Sequence, residues 1–129
     1  MTLSESAPTM VQRVTFEPCG EYCICHLDFA GIRETDEALE AIADAKRRIA
    51  EQPPFSLRVL TDVSNSIMSL PIIIAMQDLA RANAPYVTKS AIFGLSLPHR
   101  VALRQIRRLT GRDIREFTSK DEALEYLRA

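Results

Sequence analysis

The stretch Leu57-Arg58-Val59-Leu60-Thr61-Asp62-Val63-Ser64-Asn65-Ser66-Ile67-Met68-Ser69-Leu70-Pro71 decides the fold of this chain. It begins with a short apolar run, continues through a polar loop and ends where an apolar helical pattern begins, which predicts a strand, a loop and the start of a helix. In α/β folds such a loop lies at the carboxyl end of a strand and faces the free N–H groups of the helix. We therefore expect a ligand or partner site built from polar residues of this stretch: Asp62, Ser64, Asn65, Ser66 and Ser69.

Hydrophobic periodicity and turn residues predict the other elements. Strands are expected over residues 11–16, 22–29, 55–62, 91–95 and 114–117, and helices over residues 35–51, 70–83, 98–111 and 120–128. The order ββαβαβαβα predicts an α/β fold, in which an antiparallel N-terminal hairpin is followed by parallel strands and helices in one mixed sheet. The spacing predicts that the second helix buries Ile73, Met76, Leu79 and Ala80, and that the third buries Val101, Ala102, Ile106 and Leu109.

Length and composition predict a single domain over residues 10–129, preceded by a loose tail over residues 1–9. The chain has 129 residues, 47% of them hydrophobic and 26% charged, and a net charge of −1. No apolar stretch approaches the ~20 residues of a membrane span. The N-terminus carries neither a basic region nor an apolar core, so we expect no signal peptide and a cytoplasmic location.

The three cysteines, Cys19, Cys23 and Cys25, lie together in the N-terminal hairpin. Their odd number argues against a disulfide framework, and a structural zinc site would need a second, distant pair of ligands. We therefore expect no metal and no cofactor. Cys23 and Cys25 alternate with Ile24 and His26, which predicts small apolar side chains on one face of a strand.

At this point the chain resembles a known family. The resemblance rests on Arg58-Val59-Leu60-Thr61-Asp62-Val63, on Lys89-Ser90-Ala91-Ile92-Phe93-Gly94-Leu95, and on Phe117 followed by Asp121-Glu122-Ala123-Leu124-Glu125-Tyr126-Leu127. Together with the element order, these motifs resemble the STAS superfamily, and within it the SpoIIAA-like (STAS/SEC14-like, anti-sigma-factor antagonist-like) domains, over residues 10–128. The resemblance implies a small cytoplasmic module that binds partners or ligands, mostly without catalysis.

Ser69 is the candidate phosphoacceptor that the resemblance implies. Phosphorylatable members of the family carry an Asp-Ser-x-Gly-like motif at the start of the second helix. The matching stretch here is Ile67-Met68-Ser69-Leu70-Pro71, which keeps the serine and lacks both the aspartate and the glycine. A serine one or two residues before a proline at a helix start is an ordinary N-cap, and this interpretation of Ser69 is favoured over the phosphoacceptor, which stays open.

A second group of candidate residues is basic. Arg100, Arg104, Arg107 and Arg108 follow helical spacing, and Arg112 extends the stripe. One interpretation is a solvated helix face that opposes the acidic first helix. The other is a patch for an anionic partner, either an acidic protein surface or a lipid headgroup. The patch has no interleaved aromatic residues, so we do not expect nucleic-acid binding.

The sequence lacks the motifs of common enzyme sites, and we expect a non-catalytic protein. The first hypothesis is a regulatory module that binds a protein partner through the loop 62–69 and the start of the second helix. The second is a binder of a lipid or another small apolar molecule in the space between the second helix and the sheet. A flat apolar patch over residues 67–74 would favour the first hypothesis or a homodimer, and an enclosed apolar cavity would favour the second.

Overall fold

The computed structural model describes residues 12–129, so the predicted tail over residues 1–9 lies outside the described part of the chain. This part is an α/β fold, in which four helices pack on one five-stranded mixed sheet. The elements are β1 (Val14–Cys19), β2 (Tyr22–Asp28), α1 (Thr35–Ile49), β3 (Leu57–Asp62), α2 (Leu70–Asn83), β4 (Val87–Phe93), α3 (Leu97–Thr110), β5 (Ile114–Phe117) and α4 (Lys120–Arg128). The predicted order ββαβαβαβα is confirmed.

The strands stand in the sheet in chain order, with β3 at the centre. β1 pairs with β2 in antiparallel fashion, and the other neighbouring pairs are parallel. Asp28 lies beside Asp62, and Asp62 beside Phe93, so the carboxyl ends of β2, β3 and β4 form one straight edge. The two outer strands offer little to a further strand, because β1 contains Pro18 and β5 has only four residues.

The helices divide unequally between the two faces of the sheet. Each parallel strand is added beside the previous one in the same direction across the sheet. Because the crossover connections are all right-handed, their helices then lie on one face of the sheet. Accordingly α1, α2 and α3 cover one face, with Ile49, Leu79 and Leu103 in its core. The terminal α4 lies alone on the other face, where Ala123 and Leu127 pack on the sheet.

The structure corrects several predicted boundaries. β4 is Val87–Phe93 rather than 91–95, because Thr88 and Lys89 interrupt the apolar run at its start and Gly94 ends the strand with a φ of +82°. The first strand, predicted at 11–16, reaches from Val14 to Cys19, and the turn is confined to the two residues after it.

Two predicted helix faces are also wrong in part. In α3 the buried side chains include Leu103 in place of Val101 and Leu109, which are exposed. In α2 Ile72 is buried instead of Ile73. Within residues 12–129, no helix has the length and apolar character needed to cross a membrane.

Candidate functional site

Three loops meet at the straight edge formed by the ends of β2, β3 and β4. The loop after β3 lies between the other two: Gly31 N–H donates to Ser64 O at 2.8 Å, and Val63 N–H donates to Phe93 O at 3.2 Å. A third bond, from Ile67 N–H to Ile32 O at 3.0 Å, ties the end of this loop to the first one. The predicted site loop is therefore held on both sides by backbone hydrogen bonds.

Gly94 packs directly against Ser64 and allows the loop after β3 to approach the segment after β4 closely. A Cβ added at Gly94 would lie 2.1 Å from Ser64 Oγ and 2.8 Å from Ser64 N. Only glycine fits this approach, and its positive φ is also the one that glycine adopts without strain. Asn65, the next residue, takes a left-handed φ of +54° at the exposed tip of the loop, a conformation that asparagine tolerates better than most residues.

The Asp62 side chain lies on the α4 face of the sheet, opposite to the face that Ser66 lines. Its Oδ1 accepts a hydrogen bond from Ser64 N–H at 2.9 Å, and its side chain lines an open polar groove together with His26, Asp28 and Lys120. This groove is on the face that carries α4, whereas Ser66 lines a small cavity under α1 and α2. The structure therefore brings Ser64, Asn65, Ser66 and Ser69 to one edge, and the Asp62 carboxylate meets this loop at the Ser64 N–H, from the α4 side of the sheet.

Ser66 connects the loop to α3 through the buried His99. The Ser96 backbone N–H lies 2.9 Å from His99 Nδ1, so Nδ1 accepts and the ring proton is assigned to Nε2. His99 Nε2 then donates to Ser66 Oγ at 3.1 Å, and Ser66 Oγ donates to Val63 O at 2.7 Å. This arrangement requires a neutral imidazole. Burial lowers the pKa of His99 and so favours the same neutral form.

Ser69 occupies the N-cap position of α2, but its hydroxyl makes no capping hydrogen bond. Ser69 Oγ instead lies 3.4 Å from Thr35 Oγ1 at the start of α1. Pro71 in the first turn has no N–H, and the first turn of α2 contains no acidic residue. The half-buried hydroxyl thus stands at a helix start whose partial positive charge has no acidic neighbour in that turn.

An exposed apolar surface, formed by Leu70, Ile74, Leu97 and Val101, flanks this edge. The exposed fractions of these side chains are 68%, 59%, 72% and 55%. Each pair lies one turn apart on its helix, and the two helices pack against each other and start at the same edge of the sheet. Sequence reasoning assigned Val101 to the core and did not single out Leu97, because apolar residues four positions apart are also typical of a buried helix face.

The residues of the predicted arginine stripe lie in four different environments. Arg104 and Arg108 are exposed and form no ion pair within residues 12–129, whereas Arg100 pairs with Glu116 at 2.5 Å. Arg107 turns back to Ile114 O at 2.8 Å. Arg112 points inward, where it donates to Ala80 O and to Ser90 Oγ. The acidic α1 does not face this stripe, because α2 packs between α1 and α3.

The thiols and histidines do not converge on a nucleophilic site in the described part of the chain. Cys25 is fully buried, and burial raises the pKa of its thiol to about 12, so the thiol stays protonated at neutral pH. His26 bonds Glu17 at 2.9 Å on the α4 side, while His99 is enclosed on the other. Among residues 12–129, no three metal-ligating side chains come close enough to hold an ion.

No protein-family model and no curated protein matches the chain.

Proposed function

We propose that this protein is a non-catalytic interaction module that binds a protein partner through the starts of α2 and α3. The observation that carries the proposal is the exposed apolar surface of Leu70, Ile74, Leu97 and Val101. Single exposed apolar side chains are ordinary, but a group on two adjacent helices beside a rigid loop edge is typical of an interaction site.

The neighbouring charges indicate what kind of partner fits. Val101 and Arg104 follow each other on the outer face of α3 at helical spacing, and Arg108 continues this face toward the end of the helix. A partner segment with apolar side chains at one end and acidic side chains at the other would match this face. An amphipathic helix with an acidic end has that pattern.

The proposed module is of the STAS, SpoIIAA-like kind, and Ser69 is its proposed regulatory residue. The order ββαβαβαβα and the mixed sheet are compatible with that family. Ser69 lies next to Leu70, the first residue of the exposed apolar surface. A phosphate on Ser69 would add a charge of about −2 at the positive end of α2 and would change the surface that a partner meets.

Variants that introduce a negative charge into the surface test the proposal. Leu70→Glu combined with Val101→Glu should abolish capture of a partner from cell extract, with recovery of individual proteins quantified by mass spectrometry. Leu109→Glu is the matched control, since Leu109 is 47% exposed at the far end of α3. All three positions are exposed, so we expect each change to alter the free energy of unfolding by no more than about 0.5 kcal/mol.

The captured partner must then bind the wild-type chain and Leu109→Glu with equal affinity when purified, and the double variant at least about tenfold more weakly. Equal capture by all three proteins would contradict the proposal. Binding of the wild type to anionic vesicles, lost in the double variant, would assign the surface to a lipid instead. A concentration-dependent dimer that the double variant abolishes would assign the surface to a second copy of the chain.

A further inference from the structure

A partly enclosed cavity of about 70 Å³ lies on the inner side of α2 and α3, against the sheet. Its walls are mainly apolar, formed by side chains such as Val59, Leu79, Leu103 and Ile106. The polar residues among its lining are few: Thr61, Asn83, Ser90, His99 and Arg112. An apolar chamber with a small number of polar groups is the usual composition of a small-molecule site.

Asn83 carries an unsatisfied group in this cavity. The residue is 6% exposed, and its Oδ1 has no hydrogen-bond partner among the described residues. Leaving a buried amide oxygen unpaired costs about 1–3 kcal/mol, so a partner in the cavity would be strongly favoured. A half turn of the carboxamide exchanges its oxygen and NH₂ group, so Asn83 can present either an acceptor or a donor to that partner.

Arg112 places a positive charge at the same end of the cavity. It donates to Ala80 O, and Ala80 lies one turn before Asn83 on α2. No aspartate or glutamate lines the cavity, and Arg112 forms no ion pair within residues 12–129. Desolvation lowers the pKa of the guanidinium, which nevertheless stays charged at neutral pH. The hydrogen bonds to Ala80 and Ser90 use two of its five N–H donors and leave three for another acceptor.

From this geometry we infer that the cavity binds a short-chain carboxylate, with its apolar tail among Val59, Leu103 and Ile106 and its carboxylate on Arg112 and Asn83. A carboxylate supplies the negative charge that Arg112 lacks and accepts the forked hydrogen bonds of a guanidinium. It also accepts from the NH₂ group of Asn83. This inference does not depend on the outer surface proposed above, because the cavity lies on the inward sides of the same helices.

The volume limits the length of the tail. An engineered cavity of about 150 Å³ holds one benzene molecule, which has six non-hydrogen atoms, so a cavity of about half that size suits an apolar tail of about three carbon atoms. Butyrate has such a tail. Met68 and Met76 also line the cavity, and their flexible side chains allow a somewhat longer tail to be accommodated.

Methyl-resolved NMR of the whole chain tests the inference with three probes that each contain four carbon atoms: butyrate, butanol and butylammonium. Butyrate should shift the methyl signals of Leu79, Leu103 and Ile106 in a saturable manner at millimolar concentration. The signals of Ala123 and Leu127, on the other face of the sheet, should not move. Butanol and butylammonium should bind at least about tenfold more weakly, because neither provides the anion for Arg112.

Two variants identify the residues that hold the carboxylate. Arg112→Gln should weaken butyrate binding at least about tenfold and leave the weak butanol binding unchanged within about twofold. Asn83→Leu should also weaken butyrate binding, while its thermal midpoint should equal or exceed that of the wild type, because an unpaired polar group is removed. Asn83→Leu decides the matter if Arg112→Gln fails to fold.

Equal binding of butyrate and butanol would overturn the inference. So would methyl signals of the cavity that do not shift at about 100 mM butyrate, a concentration well above the dissociation constant expected for such a ligand. Equal binding would show that the cavity takes a small apolar molecule whatever its charge, and unmoved methyl signals would leave water as its occupant. Either result would reduce Arg112 to a support for the end of α2.

Discussion

Ser69 and Ser119 occupy the same N-cap position on two helices, but only one of them makes the capping bond. Ser119 Oγ accepts from Glu122 N–H at 3.2 Å, whereas the Ser69 side chain makes no such bond. We therefore predict that Ser69→Ala lowers the free energy of unfolding by less than about 0.5 kcal/mol, against about 1 kcal/mol for Ser119→Ala. Urea denaturation of both variants and the wild type measures the difference.

The regulatory role proposed for Ser69 adds a second comparison. Ser69→Asp should reduce partner capture relative to Ser69→Ala, while the two variants unfold at closely similar urea concentrations. If Ser69→Ala costs as much stability as Ser119→Ala and both Ser69 variants retain the partner equally, then Ser69 is only a structural residue of α2.

His99 should make the stability of the chain dependent on pH. Burial lowers the pKa of the folded-state imidazole below its unfolded value of about 6.5, so the unfolded chain binds more protons in the acidic range. The stability contributed by neutral His99 is thus fully present above about pH 6.5 and is lost as the pH falls from there through the folded-state pKa.

The variant His99→Gln isolates this contribution. Glutamine retains an acceptor for Ser96 N–H and does not titrate, so His99→Gln should lose less stability than the wild type between about pH 7.5 and pH 5. Urea denaturation at the two pH values measures both losses. The aspartates and glutamates titrate in both proteins alike, so a difference between the two losses of stability comes from His99. Identical losses would contradict the role assigned to His99.

At the scale of elements, Gly94 controls how closely the β4–α3 connection approaches the β3–α2 loop. Gly94→Ala requires a Cβ at 2.1 Å from Ser64 Oγ and a positive φ on alanine. Gly111, the left-handed C-cap of α3, has a similar φ of +71° but open space around its Cα. Gly111→Ala therefore isolates the backbone cost of about 1–2 kcal/mol.

We predict that Gly94→Ala destabilises the chain by at least about 1 kcal/mol more than Gly111→Ala, because the Ser64 backbone must also move. The displaced loop should also weaken partner capture in Gly94→Ala alone. Thermal unfolding of the two variants provides the comparison. Equal losses of stability would show that the contact with Ser64 adds nothing to the cost of the substitution at Gly94.

The elements also show why some predictions from sequence succeeded. Gly111 marked the end of α3 and Ser119 the start of α4 correctly, since each cap requires a particular residue type at one position. The inner face of α3 was harder to identify. Leu97, Val101 and Leu109 are as apolar as the residues that α3 buries, so periodicity alone could not separate core from exposed surface.

At the scale of the whole molecule, the element order was sufficient to predict the sheet but not the site. Both faces of the central strand β3 are apolar, with Val59 toward α1–α3 and Leu60 toward α4. The alternation along such a strand does not say which face receives the crossover helices. For this reason Asp62 could not be assigned to the α4 side, and the inward turn of Arg112 depends on tertiary contacts that helical spacing does not contain.

The two outer strands have a consequence for how molecules of this protein meet at high concentration. An open sheet tends to grow when an unprotected edge pairs with the backbone of another molecule, which is the first step toward fibrils. Here Pro18 removes one N–H donor from the β1 edge, and the β5 edge ends after four residues that include Arg115. Such edges are poor templates for cross-β growth, so contacts between molecules should be made through side chains on the helices and should dissolve on dilution.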